Sequence, residues 1–420
     1  MDKIVIQGGE KLKGRVKISG SKNAALPILA ATILSSGWNS IQNVPDLRDI
    51  ATMSRLLKDF GIKVSQWGNR IKVHSNGFKN HVASYELVKT MRASVVVLGP
   101  LLARLGKAKV SLPGGCAIGA RPIDQHLKAL QAMGADIKIE HGYVEASCDQ
   151  LKGAHIVFDM VTVTGTENIM MAACLANGTT LLENAACEPE VLDLANFLIK
   201  MGAKIKGAGT PCIEIEGVKE LKGVEHAVMP DRIEAGTFMI GAAMNQGEVQ
   251  IEGTAPQHVA ALIQKLEEAG AKIEVSSQGL LKVWGPKRIR SVDVTTAPYP
   301  GFATDFQAQF MALMAKADGV STITETIFEN RYMHVGELIR MGADIKTEGK
   351  RAVIKGVSQL SGAPIMATDL RASACLVLAG LAAQDITEIS RVYHIDRGYE
   401  RIEKKFRKLG AKVKRVKLKY

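Results

Sequence analysis

The stretch Leu198-Ile-Lys-Met-Gly-Ala-Lys-Ile205 joins the end of an apolar helical pattern to the start of an alternating strand pattern. Five other stretches share its plan, in which a glycine follows an apolar residue by four positions and precedes a charged residue and isoleucine or valine. In chain order the six copies are 57–64, 130–137, 198–205, 266–273, 338–345 and 406–413. Their glycines recur at intervals of 68 to 73 residues. The chain is therefore predicted to contain six copies of one structural unit.

Each repeated glycine predicts a sharp turn from a helix into a strand. A glycine in the left-handed conformation after a helix lets the last carbonyls find partners while the chain reverses. The strand that follows, for example 271–275, alternates apolar and polar residues and so buries one face. Apolar helical stretches such as 24–34 and 169–176 alternate with these strands. We expect an α/β unit ordered strand, helix, strand, helix, strand.

The length and the charge pattern predict two domains. A chain of 420 residues is too long for one ordinary core. Six units divide most naturally into three plus three, with the break near the charged stretch 217–226, before Met229-Pro-Asp-Arg232. We expect two similar domains with a cleft between them.

Composition narrows the class of protein. An apolar fraction of 46% with 23% charged residues is typical of a globular protein. The sequence opens without a secretory signal pattern, and its longest apolar segments, such as 372–383, are too short to span a bilayer. We therefore expect a cytoplasmic protein without a membrane span. The six cysteines and nine histidines are scattered, so neither a metal site nor a disulfide framework is expected.

The net charge of +12 raises the question of nucleic acid binding. Nine of the basic residues lie between Lys404 and Lys419, a stretch without acidic residues. Such a run is more typical of a solvated terminal helix and strand than of an RNA or membrane contact. We expect no nucleic acid partner.

A glycine-rich loop at 112–124 places one cysteine near an arginine. Its glycines free the backbone for close approach to a ligand, and prolines stiffen its two ends. The thiol of Cys116 is then available for proton transfer or covalent chemistry, and Arg121 would favour the thiolate. A flexible turn that happens to hold a cysteine is the competing interpretation.

Several basic residues occur in contexts suited to an anionic substrate. Lys22 stands at a predicted helix start that Asn23 could cap, where exposed N–H groups bind phosphate. The planar guanidinium fork suits carboxylate and phosphate. The arginines in question are Arg92, Arg121, Arg232, Arg331, Arg371 and Arg397. Ordinary capping or ion pairing could explain any one of them. Asp305 is likewise either a helix cap or a general base.

Taken together, the motifs closely resemble those of the UDP-N-acetylglucosamine 1-carboxyvinyltransferase family of peptidoglycan synthesis, within the enolpyruvyl transferase superfamily. The stretches that carry the resemblance are 20–27, 91–94, 113–124, 162–168, 304–309, 328–334 and 369–371. The cysteine loop is highly specific to the family, whereas the repeated glycines belong to the superfamily.

The resemblance implies a fold and a domain arrangement. Members of the family form an inside-out α/β barrel of two domains with three repeated α/β units each. By resemblance, residues 22–229 form the N-terminal domain, and residues 1–21 and 230–420 form the C-terminal domain. The active site of the family lies in the cleft between the domains.

The resemblance also implies a reaction that needs no cofactor or metal. The enolpyruvyl group of phosphoenolpyruvate passes to the 3′-hydroxyl of UDP-N-acetylglucosamine through a tetrahedral intermediate, and phosphate is released. Cys116 would protonate the methylene carbon and can form a covalent adduct, and Asp305 would accept the hydroxyl proton with help from Asp369 at the reacting carbon. The residues implied to hold the phosphate are Lys22, Arg121 and Arg397, and those implied to hold the carboxylate are Arg331 and Arg371. Asn23 would also contact phosphoenolpyruvate.

A larger set is implied to contact the nucleotide sugar. It comprises Asn23, Arg92, Arg121, Pro122, Ile123, Asp124, Gln125, Val161, Thr162, Val163, Thr164, Gly165, Asp305 and Ile327. One departure is Met160, where some members have a lysine; it puts one contact to the nucleotide diphosphate in question, though not the reaction. The implied partners are these two small substrates, and a monomer is expected.

Two other functions remain as alternatives. The shikimate-pathway enolpyruvyl transferase uses shikimate 3-phosphate, but it does not use a cysteine acid. An RNA-end-processing or RNA-binding protein could be built on similar repeats with a basic tail. It would show steep salt dependence, yet the chain has neither a Walker-type loop nor aromatic stacking motifs.

Overall fold

The computed structural model describes residues 2–89, 91–112, 123–276 and 280–417, apart from the side chain of Arg92. The strands are β1 (Asp2–Gln7), β2 (Lys13–Lys17), β3 (Trp38–Gln42), β4 (Lys63–Trp67), β5 (Arg70–His74), β6 (Val82–Ala83), β7 (Lys107–Ser111), β8 (Asp136–Glu140), β9 (Tyr143–Ser147), β10 (His155–Val157), β11 (Thr179–Glu183), β12 (Lys204–Lys206), β13 (Cys212–Glu216), β14 (Glu225–Ala227), β15 (Glu248–Glu252), β16 (Lys272–Val275), β17 (Leu281–Trp284), β18 (Val294–Thr295), β19 (Val320–Thr324), β20 (Asp344–Glu348), β21 (Arg351–Lys355), β22 (Pro364–Met366), β23 (Ile386–Ser390) and β24 (Lys412–Lys417).

The helices occupy the intervals between these strands. They are α1 (Lys22–Ala31), α2 (Arg48–Asp59), α3 (Tyr85–Val88), α4 (Leu98–Leu105), α5 (Asp124–Ala132), α6 (Val163–Ala173), α7 (Pro189–Met201), α8 (Arg232–Met244), α9 (Ala260–Glu268), α10 (Gln307–Met314), α11 (Val335–Arg340), α12 (Ala372–Ala382) and α13 (Ile402–Lys408). Short 3₁₀ turns lie at Thr32–Leu34, Arg92–Val97, Pro256–Val259, Thr304–Phe306 and Val392–Arg397.

The repeated glycines adopt the left-handed conformation that the sequence predicts. Their φ angles lie between 90° and 108° at positions 61, 134, 202, 270, 342 and 410. At the end of α7, the N–H of Gly202 donates to the carbonyl of Ile199 and the N–H of Ala203 donates to that of Leu198. These bonds use carbonyls that the ending helix leaves free, while the chain turns toward β12.

Each repeat contains one strand more than the sequence predicts. The described strands form six four-stranded sheets, for example β18–β19–β21–β20 in spatial order. The first pair in that sheet is parallel and the other two pairs are antiparallel. The extra strand arises because only Gly349 and Lys350 separate β20 from β21, so the two strands resemble one segment in the sequence. Gly349 has a φ of 56°, as such a tight hairpin requires.

The chain divides into two compact units. The first contains the described residues of 1–19 and 230–420, and the second contains those of 20–229. The sheets of the first unit are β22–β23–β1–β24, β2–β15–β17–β16 and β18–β19–β21–β20. Those of the second are β14–β3–β5–β4, β6–β7–β9–β8 and β10–β11–β13–β12.

Three central helices form the core of each unit. They are α8, α10 and α12 in the first unit and α1, α4 and α6 in the second. Every residue of α12 is buried, as the apolar stretch at 372–383 predicts. Helices that are apolar on all sides are typical of such interior positions. Within the described ranges, each helix is too short or too polar to cross a lipid bilayer.

Candidate active site

The first unit brings charged residues together where its central helices begin. Asp231 caps α8, since its Oδ1 accepts hydrogen bonds from the N–H groups of Ile233 and Glu234. The buried guanidinium of Arg371, next to the start of α12, lies 3.8 Å from a carboxylate oxygen of Asp231. The side chain of Asp305, in the 3₁₀ turn before α10, is 3.2 Å from the Nε of Arg371.

Asp305 links two arginines. Its Oδ1 accepts a hydrogen bond of 2.7 Å from Nη2 of Arg331, and its Oδ2 accepts one of 3.2 Å from Nε of Arg371. The side chains of both arginines are almost completely buried. Sequence patterns left open whether Asp305 caps a helix; in the structure the described bonds of its carboxylate go to guanidinium groups instead. Charge-assisted bonds of this kind are stronger than neutral ones.

Two nitrogens of the Arg371 guanidinium are not used in hydrogen bonds. Its Nη1 and Nη2 atoms are buried and make no hydrogen bond of standard geometry to a described residue, although Nη2 lies within ion-pair distance of Asp231. Burial by itself would lower the pKa of this guanidinium, but Tyr399, Asp231 and Asp305 together raise it. A buried cation with unused donors is costly unless an anion completes its shell. The arrangement is therefore suited to binding a carboxylate or phosphate.

Asp369 stabilises the start of α12. Its Oδ1 accepts hydrogen bonds of 2.8 and 2.9 Å from the backbone N–H groups of Arg371 and Ala372. Two buried groups respond to its charge. The pKa of His334 is lowered to about 4 because the ring is buried, an effect that Asp369 partly offsets. Burial, with a further contribution from Asp369, raises the pKa of the Cys375 thiol.

Sequence analysis missed Glu325, which organises the surroundings of Asp305. The buried Oε1 of Glu325 accepts from the N–H groups of Ile327 and Phe328, and its Oε2 accepts from the Thr304 hydroxyl at 2.8 Å. The same hydroxyl accepts a bond of 2.7 Å from Nη1 of Arg331. Ile327 is thereby connected with Asp305 through a continuous chain of hydrogen bonds. A glutamate directly after the alternating strand β19 was the available signal.

In the second unit, Lys22 begins α1 and is buried beside a carboxylate. Its Nζ lies 3.7 Å from Oδ2 of Asp49, near the start of α2. The predicted capping role of Asn23 is wrong: the N-cap is Ser21, whose hydroxyl accepts from the N–H of Ala24 at 3.4 Å. Ser21 has the extended backbone that a cap requires, whereas Asn23 already lies inside the helix.

Two predicted nucleotide-sugar segments lie against each other. Ile123 directly precedes α5, and Asp124 and Gln125 form its first turn. The side-chain oxygen of Gln125 accepts from the backbone N–H of Met160 at 3.4 Å. Met160 itself is exposed. The segment 123–125 therefore meets the turn that begins the second segment.

The second segment, Val161 to Gly165, forms the start of α6. The Thr162 hydroxyl caps the helix by accepting from the N–H of Gly165 at 3.2 Å. A Cβ at Gly165 would come within 2.4 Å of the Thr162 methyl group. Glycine at this position lets the Thr162 side chain approach the helix start closely. The cap then fixes the backbone of the segment.

A buried neutral network, also missed by sequence analysis, supports both segments. Nδ2 of Asn168 donates to Nδ1 of His126 at 2.9 Å, so the proton of the neutral ring lies on Nε2, 3.4 Å from the Thr164 hydroxyl. The Asn168 side chain also accepts from the N–H of Gly99 and donates to the carbonyl of Val95. Burial lowers the pKa of His126 to about 4. An asparagine directly before the apolar run of α6, which begins at Ile169, was the available signal.

Other predicted site residues are only partly visible. Cys116, Arg121 and Pro122 lie outside the described residues, as does the side chain of Arg92. The backbone of Arg92 begins a 3₁₀ turn that leads into α4. Arg397 ends the 3₁₀ turn Val392–Arg397 of the first unit.

Known proteins share both the sequence pattern and the fold. A sequence model of the EPSP synthase (3-phosphoshikimate 1-carboxyvinyltransferase) family matches residues 6–406. The enolpyruvyl transferase NikO from Streptomyces tendae superposes with a TM-score of 0.88 at 24% identity, over 99% of each chain. An EPSP synthase from Acinetobacter baumannii gives 0.76 at 18% identity, over 99% of this chain and 100% of its own. The chain has the enolpyruvyl transferase fold, as the resemblance predicts.

Sequence relatives narrow the class further. The UDP-N-acetylglucosamine 1-carboxyvinyltransferase of Geotalea uraniireducens is 62% identical over 99% of this chain and 100% of its own. The enzymes of the same name from Geobacter metallireducens and Myxococcus xanthus are 61% and 58% identical with equal coverage. The chain belongs to the UDP-N-acetylglucosamine 1-carboxyvinyltransferase family, which confirms the resemblance seen in its motifs.

Proposed function

We propose that this chain transfers the enolpyruvyl group of phosphoenolpyruvate to the 3′-hydroxyl of UDP-N-acetylglucosamine and releases phosphate. Identity of 58 to 62% over the whole length of relatives with that acceptor in their name supports the choice. The alternative acceptor, shikimate 3-phosphate, is not favoured, because the EPSP synthase of Acinetobacter baumannii is only 18% identical.

The observation that carries the proposal is the buried Arg371 with its two unused guanidinium nitrogens. Phosphoenolpyruvate offers a carboxylate of matching geometry, and a bidentate contact would satisfy both donors at once. Arg331 provides a second guanidinium bonded to the same aspartate, Asp305. We assign the substrate carboxylate to this pair of arginines.

The remaining roles concern charge and protons. Lys22, Arg121 and Arg397 hold the phosphate, whose negative charge grows as the C–O bond breaks, and fixed cations stabilise that charge. Asp305 accepts the proton of the 3′-hydroxyl, since a carboxylate oxygen that accepts one guanidinium bond keeps further lone pairs. The Asp369 oxygen that does not cap α12 assists proton movement at the reacting carbon.

For the nucleotide sugar we propose the two segments joined by the Gln125–Met160 and His126–Thr164 contacts, together with Asn23, Arg92, Arg121, Pro122, Asp305 and Ile327. Residues of both predicted domains, 22–229 and 1–21 with 230–420, then serve one reaction. We further propose a cytoplasmic monomer without a nucleic acid partner, since both substrates are phosphorylated and do not cross bilayers.

Phosphate release tests the function directly. We expect release with phosphoenolpyruvate and UDP-N-acetylglucosamine together, and none with either substrate alone. The control is shikimate 3-phosphate in place of the nucleotide sugar. Release with that acceptor, but not with the UDP-sugar, would reverse the assignment.

The proton donor has its own test. We expect Cys116→Ser to bind both substrates with very slow turnover, because a serine hydroxyl is too weak an acid. Cys116→Asp should keep activity, because a carboxylic acid can deliver the proton. Cys375→Ser is a matched control, since that thiol is buried and burial raises its pKa. Equal inactivity of the serine and aspartate variants at 116 would contradict the acid role.

A further inference from the structure

The sheet β14–β3–β5–β4 carries an unusual outer surface. We call it the tryptophan face. It consists of Trp38 and Ser40 on β3, Lys63, Ser65 and Trp67 on β4, and Arg70, Lys72 and His74 on β5. These residues share one side because strand side chains alternate, and the other side carries the buried Ile41, Ile71 and Val73. The tryptophan face contains none of the residues assigned to catalysis or substrate binding.

Two tryptophans on this surface are exposed to solvent. Trp38 is 53% exposed and Trp67 is 61% exposed. Large apolar side chains exposed together indicate an interaction surface more often than isolated ones do. Trp38 pairs with His74, and Trp67 pairs with Arg70 at the tip of the β4–β5 hairpin. The two partners are four residues apart on β5, so the indoles stand about 13 Å apart along the strands.

The cations between the tryptophans are not neutralised. Lys63, Arg70 and Lys72 form no ion pair with any described residue. Strands β3, β4 and β5 contain no carboxylate. Glu225 on the edge strand β14, which pairs with Ser40 and so shares its side of the sheet, is the one acidic residue in the four strands. The surface therefore has an excess of positive charge.

The two other sheets of the second unit carry lysine–glutamate pairs across strands. Lys109 pairs with Glu145 at 2.6 Å in the sheet of β7 and β9. In the sheet of β12 and β13, Lys204 pairs with Glu216 at 2.5 Å. Such pairs are the ordinary way to stabilise an exposed sheet face. Among its described residues, the tryptophan face has no such pair, unlike these two sheets of the same unit.

The third tryptophan of the chain shows how an aromatic residue is accommodated elsewhere. Trp284 ends β17, the position that His74 occupies on β5, and it pairs with Glu248 and Lys272. The ammonium groups of Lys282 and Lys272 lie 4.5 and 4.9 Å from its ring centroid. In these cation–π contacts the ring of Trp284 is covered and both ammonium groups have a partner. Among the residues that the structure describes, no cation lies over the ring of Trp38 or Trp67 in this way.

We propose that the tryptophan face binds peripherally to the surface of an anionic lipid bilayer. Indole rings favour the headgroup region, because one part of the ring is apolar and its N–H is polar. Lysine and arginine beside them are attracted by acidic lipids. Tryptophans at both ends of one sheet face, with cations between them, provide apolar anchors and positive charge on the same surface. One side of the Trp38 ring already contacts His74 at 4.7 Å between centroids, which disfavours base stacking by a nucleic acid.

Intrinsic fluorescence tests the proposal on the full chain. In Trp284→Phe, which keeps an aromatic ring beneath the two lysines, the remaining signal comes from Trp38 and Trp67. We expect a blue shift with vesicles of phosphatidylcholine and phosphatidylglycerol, none with phosphatidylcholine alone, and reversal by salt. Lys63→Gln and Lys72→Gln should each weaken the vesicle binding constant about fivefold. Trp67→Ser should weaken it further while phosphate release stays unchanged.

The matched control removes equal charge from a paired sheet. Lys204→Gln and Lys206→Gln should leave vesicle binding unchanged, because glutamates already neutralise both lysines. Equal weakening by the two sets of variants would mean a general charge effect and would overturn the proposal. So would the absence of a shift with anionic vesicles, or tighter binding of a single-stranded RNA oligonucleotide at the same salt concentration.

Discussion

The two units secure their candidate site residues in different ways. In the first unit, Asp305 binds Arg331 and Arg371 by charge, and both guanidinium groups are buried. In the second, His126 and Asn168 form a buried hydrogen-bond network without net charge. The first arrangement matches an anion whose charge must be balanced. The second arrangement holds neutral hydrogen-bond donors and acceptors in fixed orientations, which suits the uncharged polar groups of a sugar or a base.

The largest effect is expected where a buried cation loses its hydrogen-bonding geometry. Arg371→Lys keeps the positive charge but loses the Nε bond to Asp305 and the planar fork. We expect kcat/KM for phosphoenolpyruvate to fall about 10²- to 10³-fold, as for removing one partner of a buried charged pair. Steady-state phosphate release measures the change.

A control variant for this comparison is Arg290→Lys. Its guanidinium donates to the carbonyls of Glu267 and Glu268 at the end of α9 and has no proposed substrate contact. It should keep kcat/KM. If Arg371→Lys did so as well, the first unit would not bind the substrate by a guanidinium fork.

The next largest effect concerns pH, because each unit contains a buried histidine whose pKa is lowered. Burial lowers the pKa of both His126 and His334 to about 4, from an ordinary 6.5. Between pH 6.5 and 4 the unfolded chain therefore binds protons that the folded chain does not. The free energy of unfolding falls as pH is lowered through this window, by at most about 1.4 kcal/mol per pH unit for each histidine.

Substitution of His126 isolates the contribution of the second unit to this pH dependence. His126→Gln removes one titrating ring, so its unfolding free energy in urea should decrease less steeply between pH 6.5 and 4 than that of the unsubstituted protein. His155→Gln, which changes an exposed histidine on β10, should retain the original slope. Identical slopes in all three proteins would mean that His126 is not held neutral.

A smaller effect should distinguish the two substrates. Asn168→Asp keeps the acceptor for the Gly99 N–H but replaces the donor to His126 with a carboxylate. The ring then becomes protonated more readily, and its bond to Thr164 is disturbed. We expect KM for UDP-N-acetylglucosamine to rise about tenfold while KM for phosphoenolpyruvate changes little.

The control for this prediction lies in the other unit. Asn245 is also buried, and its Nδ2 donates to the carbonyl of Gly241. Asn245→Asp should reduce stability without changing either KM. A rise of both KM values in Asn168→Asp would indicate general damage to the fold rather than a positioning role.

The smallest effect tests the repeat itself. Gly202 has a φ of 108°, and an added Cβ would meet nothing within 4 Å. Gly202→Ala should therefore cost only the backbone strain, about 1 kcal/mol of unfolding free energy. Gly165→Ala should cost more, because its Cβ would collide with Thr162. Urea unfolding of the two variants compares strain with collision, and equal costs would contradict this distinction.

The features that could be predicted from the sequence are those that depend on residues adjacent in the chain. The six glycines with positive φ are visible because a helix end, a glycine and a strand follow one another directly. The capping role was assigned to Asn23 instead of Ser21, because both residue types cap helices and patterns shift by one or two positions.

Long-range partners were not predictable in this way. The Glu325 carboxylate accepts from Thr304, 21 residues away, and Asn168 donates to His126, 42 residues away. Such pairs depend on how helices and loops pack, which no local pattern encodes. The motifs identified Asp305, Arg331 and Arg371 as site residues, but the hydrogen bonds among them could be seen only in the structure.

The position of β1 in the sequence, far from the strands that it pairs with, affects folding during synthesis on the ribosome. Ile4 and Ile6 on β1 are buried in the first unit, and Lys3 bonds to Glu388 across 385 residues of sequence. The whole second unit is translated before β23 and β24 exist to pair with β1. During that interval an apolar strand remains without its sheet, so the nascent chain needs protection from aggregation until translation is almost finished.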